Sequence, residues 1–460
     1  MRLTSTLASA ATGTFPWLSS LKSAQLESIA QATGIQLSGP KAVLVRRLQR
    51  ELQQYEYPPQ SGTRQEEDDG SKAAQGMQDT KGEKERKELS ILSIDMGIQN
   101  LAFAHLLVRA GRRSNDRQLD SGPVPTLNAW HRLAVSAFPN SVESLSSTEL
   151  TPSSSIFATT LAASQQKKSS KSKSKPKVKD EKTIDDQNEG KEDPEEALFI
   201  QESNNTTFSP ALYASHAYTL ITSLITTYNP THILIERQRF RSGGGAVVQE
   251  WTLRVGVFEG MLYAVLHTLA RERARQGQDG RVPQIVVQSI EPQRVARYWM
   301  KMMPEVVSES LKKTQKSAKN KKEKKKNRLN STETKKAKID VVGNWLSASK
   351  KEAAAAAANE ESSSKAVKVD IGSDAAMREV VNAYLRKWEG KSNKNKTKDK
   401  KKNSSTESEE ATAVDIGKVD DLADCLLQGV TWLDWQVMRG KIAREGLDAV
   451  LQLQAVDDER

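Results

Sequence analysis

Apolar residues recur with two different periods along this chain. Between residues 15 and 55 the spacing is helical: Leu21, Leu26, Ile29 and Ala30 share one face, and Val43, Leu44, Leu48 and Leu52 share another. The stretch "ATGIQLSG" interrupts the period; Gly34 suits a left-handed helix cap and Pro40 a helix start. Two helices joined by an extended loop are therefore predicted. From residue 88 the pattern changes to short, nearly continuous apolar runs. "LSILSID" and "LAFAHLLV", joined by "MGIQN", predict a hairpin, and "LNAWHRLAV" a third strand. Leu212, Tyr213, Ala217, Leu220, Leu224 and Ile225 then mark a helix that opens at Ser209-Pro210 and closes at Asn229-Pro230. "THILIERQRF" reads as a buried strand, and a long helix follows from Val247 to about residue 270. "QIVVQSI" is a fifth strand, "PQRVARYWM" a helical turn, and "KVDDLADCLLQGVTWLDWQVM" a last helix.

Between these runs the composition cannot support a core. Stretches of Lys, Ser, Glu and Asn bury too little apolar surface to offset chain entropy. Residues 56–87 read as a linker, and residues 138–205, 304–338 and 346–412 as disordered insertions. The folded mass reduces to a small module over 15–55 and a larger domain over 88–440, with a C-terminal helix or tail over 441–460. The net charge of +11 favours a polyanionic partner, although much of it sits in the lysine runs. A single cysteine, Cys425, excludes an intrachain disulfide and a cysteine-rich zinc site. No apolar run reads as a membrane span, so no membrane insertion is expected. Residues 1–14, rich in Ser, Thr and Ala and free of acids, fit a mitochondrial transit segment and an ordinary chain end alike.

The order of elements gives three sequential antiparallel strands followed by β-α-β units that add parallel ones. The expected fold is α/β, a mixed five-stranded sheet flanked by helices, which is the RNase H-like topology. Asp95 ends the first strand and Glu236 the fourth, its neighbour in this topology. A strand-terminal Asp before "MG" is commonly just a turn residue; here other acids join it. On the last helix Asp424 shares a face with Asp420 and Asp421. Carboxylates packed together repel unless cations lie between them, so hard divalent metals are implied. Two such metals, about 3.5–4 Å apart, suit phosphodiester hydrolysis without a histidine base. Flanking residues suit a nucleic-acid backbone. Gly97 reads as leaving room for a phosphate, while Arg237, Arg239 and Arg241 precede the "SGGG" loop and Lys418 precedes the last helix. The loop lacks the Gly-Lys-Ser/Thr ending of a phosphate-loop NTPase.

Two resemblances follow. The first segment resembles the SAP motif, a small DNA-binding module, in its spaced leucines, its glycines Gly34 and Gly39, and Lys41 followed by a helix with Arg46, Arg47 and Arg50. A structural helical hairpin is the competing reading. The blocks "SIDMGIQNLAFAHL", "ILIERQRFRSGGGAVVQEWTLRVGVFEGML" and "KVDDLADCLLQG" resemble the fungal mitochondrial Holliday-junction resolvases, cruciform-cutting endonucleases related to bacterial RuvC. That resemblance implies a matrix-located homodimer that binds four-way DNA junctions and makes paired, symmetric nicks with Mg²⁺, Mn²⁺ being a substitute. It assigns the metal to Asp95, Glu236, Asp420 and Asp424, with Asp421 as the alternative partner by RuvC's spacing. Trp251, Trp432 and Trp435 are the expected source of a dimer face. Related fungal splicing factors leave a nucleic-acid binder without nuclease activity as the alternative, and a ribonuclease acting on RNA–DNA hybrids shares the metal chemistry. The SAP-like segment is expected to add DNA affinity separably from catalysis.

Overall fold

The computed structural model describes residues 15–57, 88–109, 122–135, 209–238, 250–275, 285–302, 331–358, 367–394 and 416–458. The expected transit segment, residues 58–87 of the linker, the 138–205 insertion, residues 304–330 and 395–412, and both Arg239 and Arg241 lie outside them.

After a 3₁₀ turn over Pro16–Ser19 come α1 (Ser23–Ala32) and α2 (Lys41–Glu51). The sheet strands are β1 (Leu89–Asp95), β2 (Leu101–Val108), β3 (Thr126–Leu133), β4 (His232–Glu236), β5 (Val286–Ile290) and β6 (Asp370–Ile371). Between and after them run α3 (Pro210–Tyr228), α4 (Glu250–Arg275), α5 (Pro292–Met302), α6 (Ser331–Ala358), α7 (Ala375–Lys394), α8 (Val419–Glu445) and α9 (Leu447–Asp458).

The strand order is β5-β4-β1-β2-β3-β6. β1, β2 and β3 are antiparallel in sequence, whereas β4 pairs parallel with both β1 and β5. Central β1 is buried at every position, as a strand covered on both faces must be. Alternation splits its side chains between two cores. Leu92 and Ile94 meet Leu220, Ile221, Phe258 and Leu262 of α3 and α4. Ile91 faces the opposite layer, which α5, α6, α7 and α8 build around Trp130, Trp345, Tyr384 and Trp432. The cap of α3 follows the sequence reading: Ser209 Oγ accepts from the Leu212 N–H, and Asn229 closes the helix at φ 40°.

Two expectations need correction. The sheet has six strands among the described residues, not five, because the two-residue β6 pairs parallel with β3. That strand, α7 and most of α6 lie within stretches read as disordered insertions. Lysine and alanine dominate those windows, yet Leu346, with Val341, Val342 and Trp345 in the gap between the two insertions, and then Val380, Val381, Tyr384 and Leu385 recur at helical spacing and are buried in the core they share with α8. Helix α4 is long and apolar enough, by length and composition alone, to cross a membrane. Its Val255, Phe258, Leu262 and Leu266 pack instead into the sheet core.

The helical module is not free-standing. Leu18, Leu26, Ile29, Leu44 and Leu48 share one core with Ile442, Ala449 and Val450 of α8 and α9. Gly34, at φ +66°, lies so close to Trp435 that an added Cβ would sit 2.1 Å from its ring. Arg294 Nη1 and Arg439 Nε donate to the Gly34 and Thr33 carbonyls, and Glu56 Oε2 lies 2.7 Å from His232 Nε2. Deleting residues 15–55 would therefore strip cover from α8 and α9, so the loss would not isolate DNA affinity.

Gly34→Ala should cost about 1–3 kcal/mol, since both the left-handed backbone and the Trp435 ring oppose a methyl group. Urea unfolding of full-length variant and wild type measures it; equal midpoints would mean that the ring yields freely.

Candidate nuclease site

Strands β1 and β4 run parallel with Ile94 beside Ile235, so the next residue of each, Asp95 and Glu236, emerge side by side at the sheet edge. Helix α8 crosses over that edge. Buried Gln428 donates through Nε2 to Ser93 Oγ at 3.0 Å, the Ile94 carbonyl at 3.2 Å and the Leu234 carbonyl at 3.3 Å. Trp130 Nε1 donates to the Leu422 carbonyl at 2.9 Å, fixing the first turns of the helix over β3. One turn before Gln428, Asp424 projects toward Asp95 and Glu236.

Burial, then the charge of Glu236 and a hydrogen bond shared with it, then Asp424 and Asp421, push the Asp95 carboxyl well above its usual range. Asp424 is also raised, by burial first, with Glu236 and Asp420 adding and Lys338 opposing. Asp421 is raised by burial and by Asp420, against the pull of Arg132. Asp420 goes the other way: its burial is outweighed by Lys335, its own backbone N–H and Lys418.

Three of the five acids already hold a cation. Arg132 Nε donates to Asp421 Oδ2 at 3.0 Å, Lys335 Nζ to Asp420 Oδ2 at 3.0 Å, and Lys338 Nζ lies 2.7 Å from Asp424 Oδ1. Arg132 also bonds Asn100 Oδ1 in the turn after β1. Among the described residues neither Asp95 nor Glu236 has an ion pair, and no three acids or histidines are gathered closely enough to hold a metal as they stand. Both acids are hard oxygen donors, and burial beside Glu236 disfavours the Asp95 anion, which is the chemistry a divalent cation satisfies. Asp95 and Glu236 fit such a group.

The remaining sequence candidates divide. Arg237 is 61% exposed beside Glu236, its N–H bonded to the Ile290 carbonyl and its guanidinium 3.9 Å from Glu291. Lys418, Lys41 and Arg46 are exposed. Arg47 donates through Nη1 to the loop carbonyls of Gln36 and Ser38, so it shapes the module. At Gly97 an added Cβ would meet the Asn100 carbonyl at 3.0 Å, so the turn itself favours the glycine. The module docks near Trp435, eleven residues along α8 from Asp424, which is about 16 Å at the helical rise.

Sequence reasoning missed Arg132, Lys335, Lys338 and Glu259, whose Oε2 accepts from the Gln238 N–H and supports the chain beyond Glu236. The signal for the lysines was the Val341-Val342-Trp345-Leu346 period just after them, masked by the lysine run. Arg132 carried no signal beyond closing a strand.

A family model described as mitochondrial resolvase Ydc2 / RNA splicing MRS1 matches residues 91–442, and a SAP domain model matches residues 17–53. The chain is 35% identical over 108 residues to a mitochondrial cruciform cutting endonuclease 1 of Schizosaccharomyces pombe. That match covers 24% of this chain and 40% of that protein. A crystal structure titled as the yeast mitochondrial Holliday junction resolvase Ydc2 aligns at 16% identity with a TM-score of 0.40, covering 92% of this chain and 98% of its own.

The pKa shift at Asp95 has a direct consequence for stability. Between the unfolded value of 3.8 and the raised folded value the native chain holds the extra proton, so metal-free stability falls as pH rises through that window. Asp95→Asn removes this loss. By scanning fluorimetry in chelator, the variant should melt several degrees above wild type near neutral pH, with the gap closing as pH approaches 3.8. A variant less stable than wild type near neutrality would mean that Asp95 is not electrostatically strained.

Proposed function

We propose that this chain, which belongs to the mitochondrial resolvase Ydc2 / RNA splicing MRS1 family, is a mitochondrial endonuclease that cuts four-way DNA junctions with a divalent cation. Mg²⁺ is the expected ion and Mn²⁺ its substitute. Asp95, Glu236 and Asp424 hold it, while Asp421 and Asp420 face Arg132 and Lys335. The observation that carries this reading is buried Asp95 set beside half-buried Glu236, with no ion pair to either among the described residues. A protein that only bound nucleic acid would gain nothing from setting Asp95, whose ionisation burial and Glu236 oppose, beside a second carboxylate, because an unpaired buried charge costs several kcal/mol or more.

The cation, when bound, supplies water activation and stabilisation of the leaving oxygen in phosphodiester hydrolysis. The chain supplies the rest. Arg237 and Lys418 flank the acids with exposed positive charge for backbone phosphates. The SAP module, fixed beside α8 and α5, extends the basic surface through Lys41 and Arg46.

The deciding assay offers the full chain and Mg²⁺ a four-way junction, a linear duplex and an RNA–DNA hybrid of equal length. Symmetric cleavage of the junction alone is expected. Cutting confined to the hybrid would make the protein a ribonuclease, and binding without cutting would make it a splicing-type binder. Asp95→Asn and Glu236→Gln should reduce junction cleavage to background and leave junction binding equal or tighter, because removing negative charge beside phosphates strengthens attraction. Wild-type rates from a folded Asp95→Asn variant would end the site assignment.

Paired nicks related by symmetry call for two identical sites, and a two-fold homodimer supplies them. Trp432 and Trp435 are buried within their own subunit and are not available for that face. The outward side of α4 is: Trp251, Leu253 and Val257 are 40%, 46% and 50% exposed, and an added Cβ at Gly256 or Gly260 would meet nothing. Leu253, Val257, Gly260 and Ala264 form a narrow stripe of apolar and small residues suited to a second copy of the same helix. Light scattering of the DNA-free protein at micromolar concentration should give a dimer, and Val257→Glu a monomer. A wild-type monomer, one per junction on DNA, would exclude the paired mechanism.

A further inference from the structure

We propose that Lys338 is a built-in cation of the acid site, so that the DNA-free protein takes up one divalent cation per chain where its five carboxylates would otherwise call for two. The inference rests on the metal-nuclease reading above and concerns how the chain itself completes that site.

Lys338 lies inside the group of acids. Its Nζ is 2.7 Å from Asp424 Oδ1, its side chain is 19% exposed, and Asp424, Glu236 and Asp95 all act on its charge. Lys335, one turn earlier on α6, is 60% exposed and pairs with the outlying Asp420. The backbone that delivers Lys338 is held in place. Ile339 accepts from the Tyr384 hydroxyl through its carbonyl, Asp340 accepts from Trp388 Nε1, and Val341 and Val342 are buried against the α8 layer. A lysine anchored this way loses little further freedom on reaching the carboxylates, with its stem covered and its ammonium at the acids.

Charge balance gives the stoichiometry. Arg132, Lys335 and Lys338 offset three of the five carboxylate charges, leaving a net charge of minus two for one divalent ion held by Asp95, Glu236 and Asp424. A second divalent ion would place seven positive charges against five negative ones in a partly buried site, and like-charge repulsion there is poorly screened. Lys338 thus lowers the affinity for cation on the Asp424 side until DNA phosphates add negative charge.

The test is Mn²⁺ binding to full-length, DNA-free protein, followed by electron paramagnetic resonance and calorimetry. Wild type should bind one Mn²⁺ per chain, and Asp95→Asn should lose it. Lys338→Met keeps the stem and removes the charge; it should bind about tenfold more tightly or gain a second ion per chain. Lys335→Met should stay within about threefold of wild type, since its lysine is exposed and screened. Two ions of similar affinity on the wild-type chain would overturn the proposal, and that measurement stands even if Lys338→Met does not fold. Unchanged binding by a folded Lys338→Met would overturn it as well. No Mn²⁺ on wild type at all would remove the metal-nuclease reading together with this one, a result distinct from two ions.

Discussion

The position of α8 over the sheet is the constraint on which both the core and the site depend. Its buried face is satisfied by specific polar bonds rather than by apolar contact alone. Gln428 spans β1 and β4, Trp130 holds the Leu422 carbonyl from β3, Trp299 Nε1 donates to Thr431 Oγ1 at 2.6 Å, and Trp432 Nε1 donates to Gln288 Oε1 at 2.7 Å. All but the part-buried Trp432–Gln288 bond are buried, and their loss would leave unsatisfied groups, so the helix has one register and not a family of them. Gln428 is the central member, because it joins the two strands whose last residues are Asp95 and Glu236. A helix held at that point cannot slide without breaking three bonds, and Asp424 is one turn away.

The sheet was legible because its strands are short, apolar and bounded by turn residues. The acids were legible for the same reason: Asp95 and Glu236 are the polar residues that end two such runs, and the Asp420-Asp421-Asp424 spacing sits on a strongly patterned helix. What the sequence concealed was the counter-charge. Lys335 and Lys338 belong to a run of lysines that reads as solvated tail, and their helix is recognisable only by Ile339, Val341, Val342, Trp345 and Leu346 in a window of Lys and Ala. Arg132 is hidden differently, since a polar residue at a strand end is unremarkable until Asn100 and Asp421 are seen on either side of it. Composition reports the average of a window, whereas one buried helical face needs only a few positions in it.

The basic residues of the SAP module separate by a related logic. Arg46 and Arg47 are adjacent on α2 and look equivalent in sequence. A helix turns 100° between neighbours, so one faces solvent and the other reaches back to the loop carbonyls of Gln36 and Ser38. The same distinction applies to the tryptophans: Trp435 closes against Gly34, while Trp251 sits on an outward surface.

The core shared by the module and the last helices also sets an order of assembly. A ribosome makes residues 15–52 early and residues 442–450 among the last of those described, yet the two sets complete one another's packing. Until α8 and α9 emerge, Leu26, Ile29 and Leu48 have only their own hairpin for cover, and a pair of short helices with half a core is marginal. Long-range contacts of this kind close late, slow folding and leave apolar surface exposed in the interval. The native state is therefore reached by a closure that joins residues 15–52 to residues 442–450.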